Sequence, residues 1–313
     1  MQANARTIAV LGTGGTIAGT GSGPQDHVGY RAGQVPVGEL LVSSPAMAGH
    51  ALVSEQVAQV DSKNMDFDLW RRLAARCAAW LARDDVTGLV ITHGTDTLEE
   101  TAYFLHLVLS PVKPVVLTCA MRPATALAPD GPQNLADAVT VAAAGGAHGV
   151  VAVCAGVIHG APDVMKVHPY RLDPFGSGDA GALGHVEEGR LRLHRDWPAG
   201  AADWPSHAAR VERAADWPRV QIVMNHAGAD GSVVRALQAQ GVDGIVVAGT
   251  GNGTLSEALE EALLQARADG IAVVRASRCG TGVVLAQTGQ RLPDSQGLSP
   301  VKARIAMQLA LLA

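Results

Sequence analysis

The sequence is short of charge and of aromatic rings. Of its 313 residues, 17% are charged and 4% are Phe, Trp or Tyr, and the formal net charge is −5. With no basic stripe and no interleaving of arginine with aromatics, nucleic acid is not an expected partner. No apolar run approaches the roughly 20 residues needed to cross a bilayer, so no membrane partner is expected either. The four cysteines, Cys77, Cys119, Cys154 and Cys279, are far apart and lack CxxC or His-rich spacing. That argues against a metal site and for reduced core thiols in a cytoplasmic chain. Met1 to Thr7 leads straight into the first strand with no charged and apolar leader. A removed signal peptide is the alternative to a cytoplasmic origin. Lysine is scarce as well: only Lys63, Lys113, Lys166 and Lys302 occur among 24 basic residues. Lysine can give up its proton where arginine effectively cannot, which draws attention to Lys166.

Several catalytic signatures are also missing. Gly12-Thr-Gly-Gly-Thr-Ile17 has Ile where a dinucleotide-binding G-x-G-x-x-G needs its third glycine. There is no Gly-Lys-Ser/Thr phosphate loop, no His-Glu-x-x-His and no Gly-x-Ser-x-Gly. What is present, at 48% hydrophobic residues, is a chain able to bury a substantial core.

Short apolar strands alternate with amphipathic helices, which predicts an α/β fold: a larger N-terminal, mainly parallel sheet domain with helices on both faces, and a smaller C-terminal α/β domain. The domains are read as 1–195 and 219–313. Residues 196–218, with Asp-Trp-Pro at Asp196, Asp203 and Asp216, are read as a linker.

The organising stretch is Leu89-Val-Ile-Thr-His-Gly-Thr-Asp-Thr-Leu-Glu-Glu-Thr101, a buried strand that breaks into hydroxyl and acidic residues before a helix. Ligands of open α/β sheets bind at such turns, so Gly94, Thr95 and Asp96 are candidate site residues. A capping box, Asp96 with Glu99, is the structural alternative. Ile8 to Thr20 is a second strand ending in glycines and threonines, among them Thr16. A Gly-rich segment then leads to Tyr30, and Ser62-Lys63 stands at a third strand-to-helix turn. Ser62 as a helix cap, Tyr30 as a packing residue and Lys166 as a snorkelling lysine are the non-catalytic readings. Threonine, lysine and aspartate together suit an activated hydroxyl nucleophile.

Thr13-Gly-Gly-Thr-Ile17, Thr92-His-Gly-Thr-Asp-Thr-Leu-Glu-Glu100, Ala120-Met-Arg-Pro123, Asp130-Gly-Pro132, Asn134-Leu135 and Gly251-Asn-Gly253 resemble the bacterial-type L-asparaginases, a family that includes the glutaminase-asparaginases. The resemblance runs from about Ile8 to the C-terminus. It implies hydrolysis of asparagine to aspartate and ammonia with minor glutaminase activity, no cofactor or metal, and a homodimer or homotetramer with active sites shared across the intimate dimer. Thr16 then resembles the nucleophile and Tyr30 its lid tyrosine. Thr95, Lys166 and Asp96 resemble the second catalytic group. Ser62, Lys63, Gly94, Thr95 and Asp96 line the substrate, with Asn252 and Thr254 on a loop contributed across the interface. Two departures stand out. Lys63 occupies a position where high-affinity relatives usually carry Gln. From Ile271 onward the only acid is Asp294, so the glutamate those relatives supply from the neighbouring subunit has no counterpart. A catalytically silent binder of small amino acids or nucleotides on the same architecture is the competing function.

Overall fold

The computed structural model describes residues 6–42 and 50–312. The chain forms two compact units, divided between Pro205 and Ser206. In the first, β1 (Thr7–Gly14), α1 (Val37–Val42), β2 (Ala51–Val60), α2 (Phe67–Leu81), β3 (Val86–Thr92), α3 (Leu98–Leu109), β4 (Val115–Thr118), α4 (Gly131–Ala143) and β5 (Val150–Cys154) alternate strictly. Short strands follow: β6 (Val157–Gly160), β7 (Met165–Lys166), β8 (Phe175–Gly176), β9 (Gly184–Glu187) and β10 (Arg190–Leu193). A helix, α5 (Trp204–Arg213), begins at the division, inside the stretch read from sequence as a plain linker. Its buried Val211 and basic last turn show that the alanine- and arginine-rich composition there is helix-forming.

Eight strands make one sheet in the order β10-β9-β6-β5-β4-β3-β1-β2. The five strands β2, β1, β3, β4 and β5 run parallel, and β6, β9 and β10 continue the sheet through antiparallel pairings. The central strands are buried along nearly their whole length, whereas β2, at the edge, alternates between part-buried and exposed residues. Parallel strands covered on both faces require this continuous hydrophobicity. Ile8, Val10, Val90, Val116, Val151 and Val153 share one core with Val37 and Leu40 of α1 and with Leu135, Ala138 and Val139 of α4. The alternate residues, including Ala9, Leu11, Leu89, Ile91 and Leu117, are buried on the opposite face, where α2 and α3 pack on the sheet. Each buried Val, Leu or Ile among them contributes roughly 1.5–3 kcal/mol of burial. In α2, Trp70, Leu73, Ala74 and Cys77 recur at helical spacing on the buried side, and Trp70 stacks on Phe104 of α3 at 4.8 Å. β7 does not join the main sheet; it pairs with β8 in a separate two-stranded ribbon, which places Lys166.

The second unit holds β11 (Val220–Met224), α6 (Ser232–Ala239), β12 (Gly244–Gly249), α7 (Glu257–Ala268), β13 (Ala272–Ser277) and α8 (Pro300–Leu311) around a three-stranded parallel sheet, β11-β12-β13. All four cysteines are free, and three of them are buried.

Candidate active site

β1 lies between β2 and β3, so the chain leaves β1 toward one side and returns to the other. A crevice opens at the carboxyl ends of strands where the order reverses in this way. Three turns meet there, and glycines let them touch. Gly14, at φ 103°, leaves no room for a Cβ against Val60, whose carbonyl oxygen would lie 2.5 Å from it. Gly15, at φ 79°, lies against Gly94: a Cβ on it would be 2.7 Å from the His93 carbonyl carbon and closer still to Gly94 N and Cα. Gly94 in turn packs on Ser62, whose Oγ would meet a Cβ at 2.5 Å. The ends of β1, β2 and β3 are therefore in backbone contact, and the side chains that follow each glycine share one crevice.

Thr16, 6% exposed, follows Gly15, and its Oγ1 is 2.6 Å from the hydroxyl of Tyr30. The loop that carries Tyr30 is closed at its base by Thr20 and Arg31, each N–H donating to the other's carbonyl at 2.9 Å. It is held further out by Gly21 N donating to Thr125 Oγ1 at 2.8 Å and by Leu127 N donating to Pro24 O at 2.9 Å. Burial, followed by the nearby carboxylates of Asp61 and Asp96, keeps the Tyr30 phenol above its usual range despite the bond to Thr16. It is a neutral hydroxyl at ordinary pH, able to donate and accept.

On the other side of the glycine contact, Lys166 Nζ donates to Thr95 Oγ1 at 2.8 Å and to Asp96 Oδ1 at 2.6 Å. Lys166 is mostly buried, whereas the Asp96 carboxylate is 54% exposed and so open to a ligand. The snorkelling alternative for Lys166 does not hold, because its ammonium turns inward onto these two groups. The capping-box alternative for Asp96 does not hold either. α3 starts one residue later, Thr97 is its N-cap, and Glu99 reaches across to accept from Lys166 N at 3.2 Å. Ser62, 2% exposed, accepts from Asp96 N at 3.2 Å, and its carbonyl accepts from Thr97 Oγ1 at 2.8 Å. Asp66, not Ser62, caps α2.

Sequence reasoning missed His93. It is fully buried between Gly94 O, 2.7 Å from Nδ1, and Thr101 Oγ1, 2.9 Å from Nε2. Trp70 Nε1 donates to the same Thr101 oxygen at 2.9 Å. The Gly94 carbonyl can only accept, so Nδ1 carries the imidazole proton and donates to it, and Thr101 donates its hydroxyl proton to the bare Nε2. Burial drives the imidazole pKa down to about 4, which keeps it neutral in this one tautomer. The chain Trp70–Thr101–His93 thus orients the Gly94 carbonyl, hence the Thr95 turn. A histidine within an apolar strand end, eight residues before a threonine on the buried face of a helix, was the available signal.

The remaining expected residues differ in placement. Lys63 is 66% exposed and pairs with Asp61 at 2.9 Å. Asn252 and Thr254 belong to the second unit, in the turn after β12. The Asn252 amide is engaged at both ends by the Leu285 backbone, accepting from N at 2.7 Å and donating to O at 3.0 Å. Thr254 Oγ1 donates to Thr250 O at 3.0 Å.

Two buried threonines, one bonded to a tyrosine and one to a lysine–carboxylate pair, thus stand at the switch point of a doubly wound sheet, the combination of groups that an activated hydroxyl requires. Comparison with known proteins gives the family. Residues 7–199 match the model described as "Asparaginase, N-terminal" and residues 219–313 the "Glutaminase/Asparaginase C-terminal domain". The chain is 39% identical to L-asparaginase 2 of Bacillus subtilis, over 97% of this chain and 82% of that one. It is 35% identical to the glutaminase-asparaginase of Pseudomonas fluorescens, over 97% and 86%. The crystal structure of a probable cytoplasmic L-asparaginase from Campylobacter jejuni superposes with a TM-score of 0.91 at 37% identity, covering 97% of this chain and 94% of that one. The chain belongs to the bacterial-type asparaginase family.

Proposed function

We propose that this protein hydrolyses the side-chain amide of L-asparagine, giving L-aspartate and ammonia, with glutamine as a poorer substrate. Thr16 Oγ adds to the amide carbonyl carbon, its proton passing through the Tyr30 hydroxyl toward the departing nitrogen. Ammonia leaves, and water then hydrolyses the threonine ester. Thr95, bonded to Lys166, supplies a second hydroxyl whose proton Lys166 takes as the neutral amine and returns as the ammonium. Asp96, exposed beside Ser62, receives the substrate's ammonium, and the Ser62 turn receives its carboxylate. The observation that carries this reading is that the two hydroxyl systems, Thr16–Tyr30 and Thr95–Lys166–Asp96, stand on turns joined by the Gly15–Gly94 contact.

The family and the names of its members support an enzyme over a silent binding protein. The test is ammonia release from L-asparagine, L-glutamine and both D-isomers. Release from L-asparagine fastest is expected; none from any amide would sink the assignment. Assembly as a dimer, or a dimer of dimers, with the turn of Asn252 and Thr254 completing a partner's site, belongs to the same proposal. Light scattering combined with the assay checks it, since a fully active monomer contradicts sharing. With Asn252 spent on Leu285, that turn would act through its shape and backbone. A cytoplasmic location accords with the four free thiols.

A further inference from the structure

The loop that carries Tyr30 has almost nothing apolar to hold it. From Thr20 to Gly29 the one large aliphatic side chain is Val28, which is 81% exposed, and Gly21, Gly23 and Gly29 leave the backbone wide freedom. Hydrogen bonds therefore have to fix where the Tyr30 hydroxyl stands.

Inside the loop they converge on Asp26. Its Oδ2 accepts from Ser22 Oγ at 2.8 Å and from Ser22 N at 3.2 Å, and its Oδ1 accepts from Gly29 N at 2.7 Å. Gly29 directly precedes Tyr30, and a Cβ on it would press on both carboxylate oxygens, at 3.0 and 3.2 Å. One carboxylate thus ties the outgoing limb of the loop to the returning one. These bonds, that from the Ser22 hydroxyl first, hold the Asp26 carboxyl below its usual range, so it is ionised at ordinary pH and its hydrogen bonds are charge-assisted.

Outside the loop a second segment receives it. Thr125 Oγ1 accepts from Gly21 N at 2.8 Å, Ala124 N donates to Gly19 O at 2.9 Å, and Leu127 N donates to Pro24 O at 2.9 Å. Of these three contacts only the first uses a side chain. The receiving segment is itself firm: Asp130 accepts from Met121 N and Arg122 N, both at 2.9 Å, and Arg122 Nη1 donates to Ala128 O at 3.0 Å. Gly19 links the segment to the phenol, because the Tyr30 ring lies over it, 2.8 Å from where a Cβ would be.

We infer that Asp26 and Thr125 are positioning residues for Tyr30: the Asp26 carboxylate makes the loop one piece, and the Thr125 hydroxyl docks that piece so that the phenol is held against Thr16. Both act through Tyr30 and take no part in the chemistry themselves. The kinetic consequence rests on the Thr16–Tyr30 reading, whereas the ordering of the loop does not.

The loop contains its own reporter. Arg31 is exposed, and trypsin can cut after it only when its pairing with Thr20 opens, at a rate that follows the open population. Followed by mass spectrometry on the full chain, Asp26→Ala should speed that cut at least about fivefold and Thr125→Val at least about threefold, the range for lost hydrogen bonds of these kinds. Tm should change little, since both side chains lie at the surface. Thr125→Ser keeps the hydroxyl and should match the wild type. In the ammonia assay both loosened variants should lose kcat for asparagine by similar factors, and in a Tyr30→Phe background Asp26→Ala should cost nothing further. Unchanged cleavage after Arg31 in both variants would overturn the inference, as would an equal kcat loss from Asp26→Ala with and without the Tyr30 hydroxyl. Normal kcat in Tyr30→Phe alone would instead sink the tyrosine's role in the reaction, and the cleavage rates would still decide the ordering of the loop.

Discussion

The Gly15–Gly94 contact gives the sharpest test of how the site is assembled. In Gly15→Ala, the new Cβ would lie 2.7 Å from the His93 carbonyl carbon and nearer to Gly94 itself, where the obstructing atoms are backbone and cannot swing away. Ordinary carbon contacts lie at about 3.5–4.0 Å, so the two turns must separate by roughly 1 Å. The residue would also be held at φ 79°, a region that costs a non-glycine residue about 1–2 kcal/mol. A displacement of that size between a nucleophile and its partner groups costs on the order of 10²-fold in rate. The expected variant is therefore folded, destabilised by about 2 kcal/mol in urea melts, and reduced about 10²-fold in kcat/KM for asparagine by coupled ammonia assay. Gly23→Ala, where a Cβ meets nothing within 4 Å, is the control and should behave as wild type. A Gly15→Ala enzyme with normal kcat/KM would refute the idea that contact between the turns sets the catalytic geometry.

Thr16→Val and Thr95→Val should each lose on the order of 10²-fold or more in kcat with the fold intact by circular dichroism; near-normal turnover in either removes that hydroxyl from the mechanism. Lys166→Arg should fold yet turn over very slowly, because a guanidinium does not exchange the proton with Thr95; a normal kcat would make the lysine structural. His93 and His159 are both held to about 4 by burial, with His185 also acting on His159. The unfolded chain then binds more protons between about pH 6.5 and 4, so Tm should fall as pH drops through that window; a flat profile there contradicts two buried neutral imidazoles. Lys63→Gln should leave KM for asparagine within about threefold, since the lysine is largely exposed and paired with Asp61. A much tighter KM would show that its charge does oppose the substrate's ammonium.

Much of this protein was readable from its sequence because the signals are local. Continuous apolar runs ending in glycine and threonine marked β1 and β3, Val53 to Val60 marked β2 before the Ser62 turn, and the alternation of strands with helices implied a mainly parallel sheet covered on both faces. Thr95 and Asp96 drew attention as polar residues at a strand end and Lys166 as one of few lysines, while Thr16 and the role of Lys166 came from the resemblance to the asparaginases. Pairing was not local. That β1 sits between β2 and β3, so that turns nearly eighty residues apart touch through Gly15 and Gly94, is a property of strand order that periodicity does not encode. The roles of neighbours were likewise set in three dimensions: Glu99 leaves the expected capping box for the Lys166 backbone, and His93 is fixed by Thr101 and Trp70. The helix in 204–213 was hidden by Trp-Pro punctuation, which reads as a break yet serves as a helix start, where proline's missing N–H costs nothing. Composition along the chain thus determined which groups were available and which segments were buried. Only the tertiary structure decided which groups share a hydrogen bond, because a bond of under 3 Å between Lys166 and Asp96, seventy positions apart, depends on the packing of every element between them.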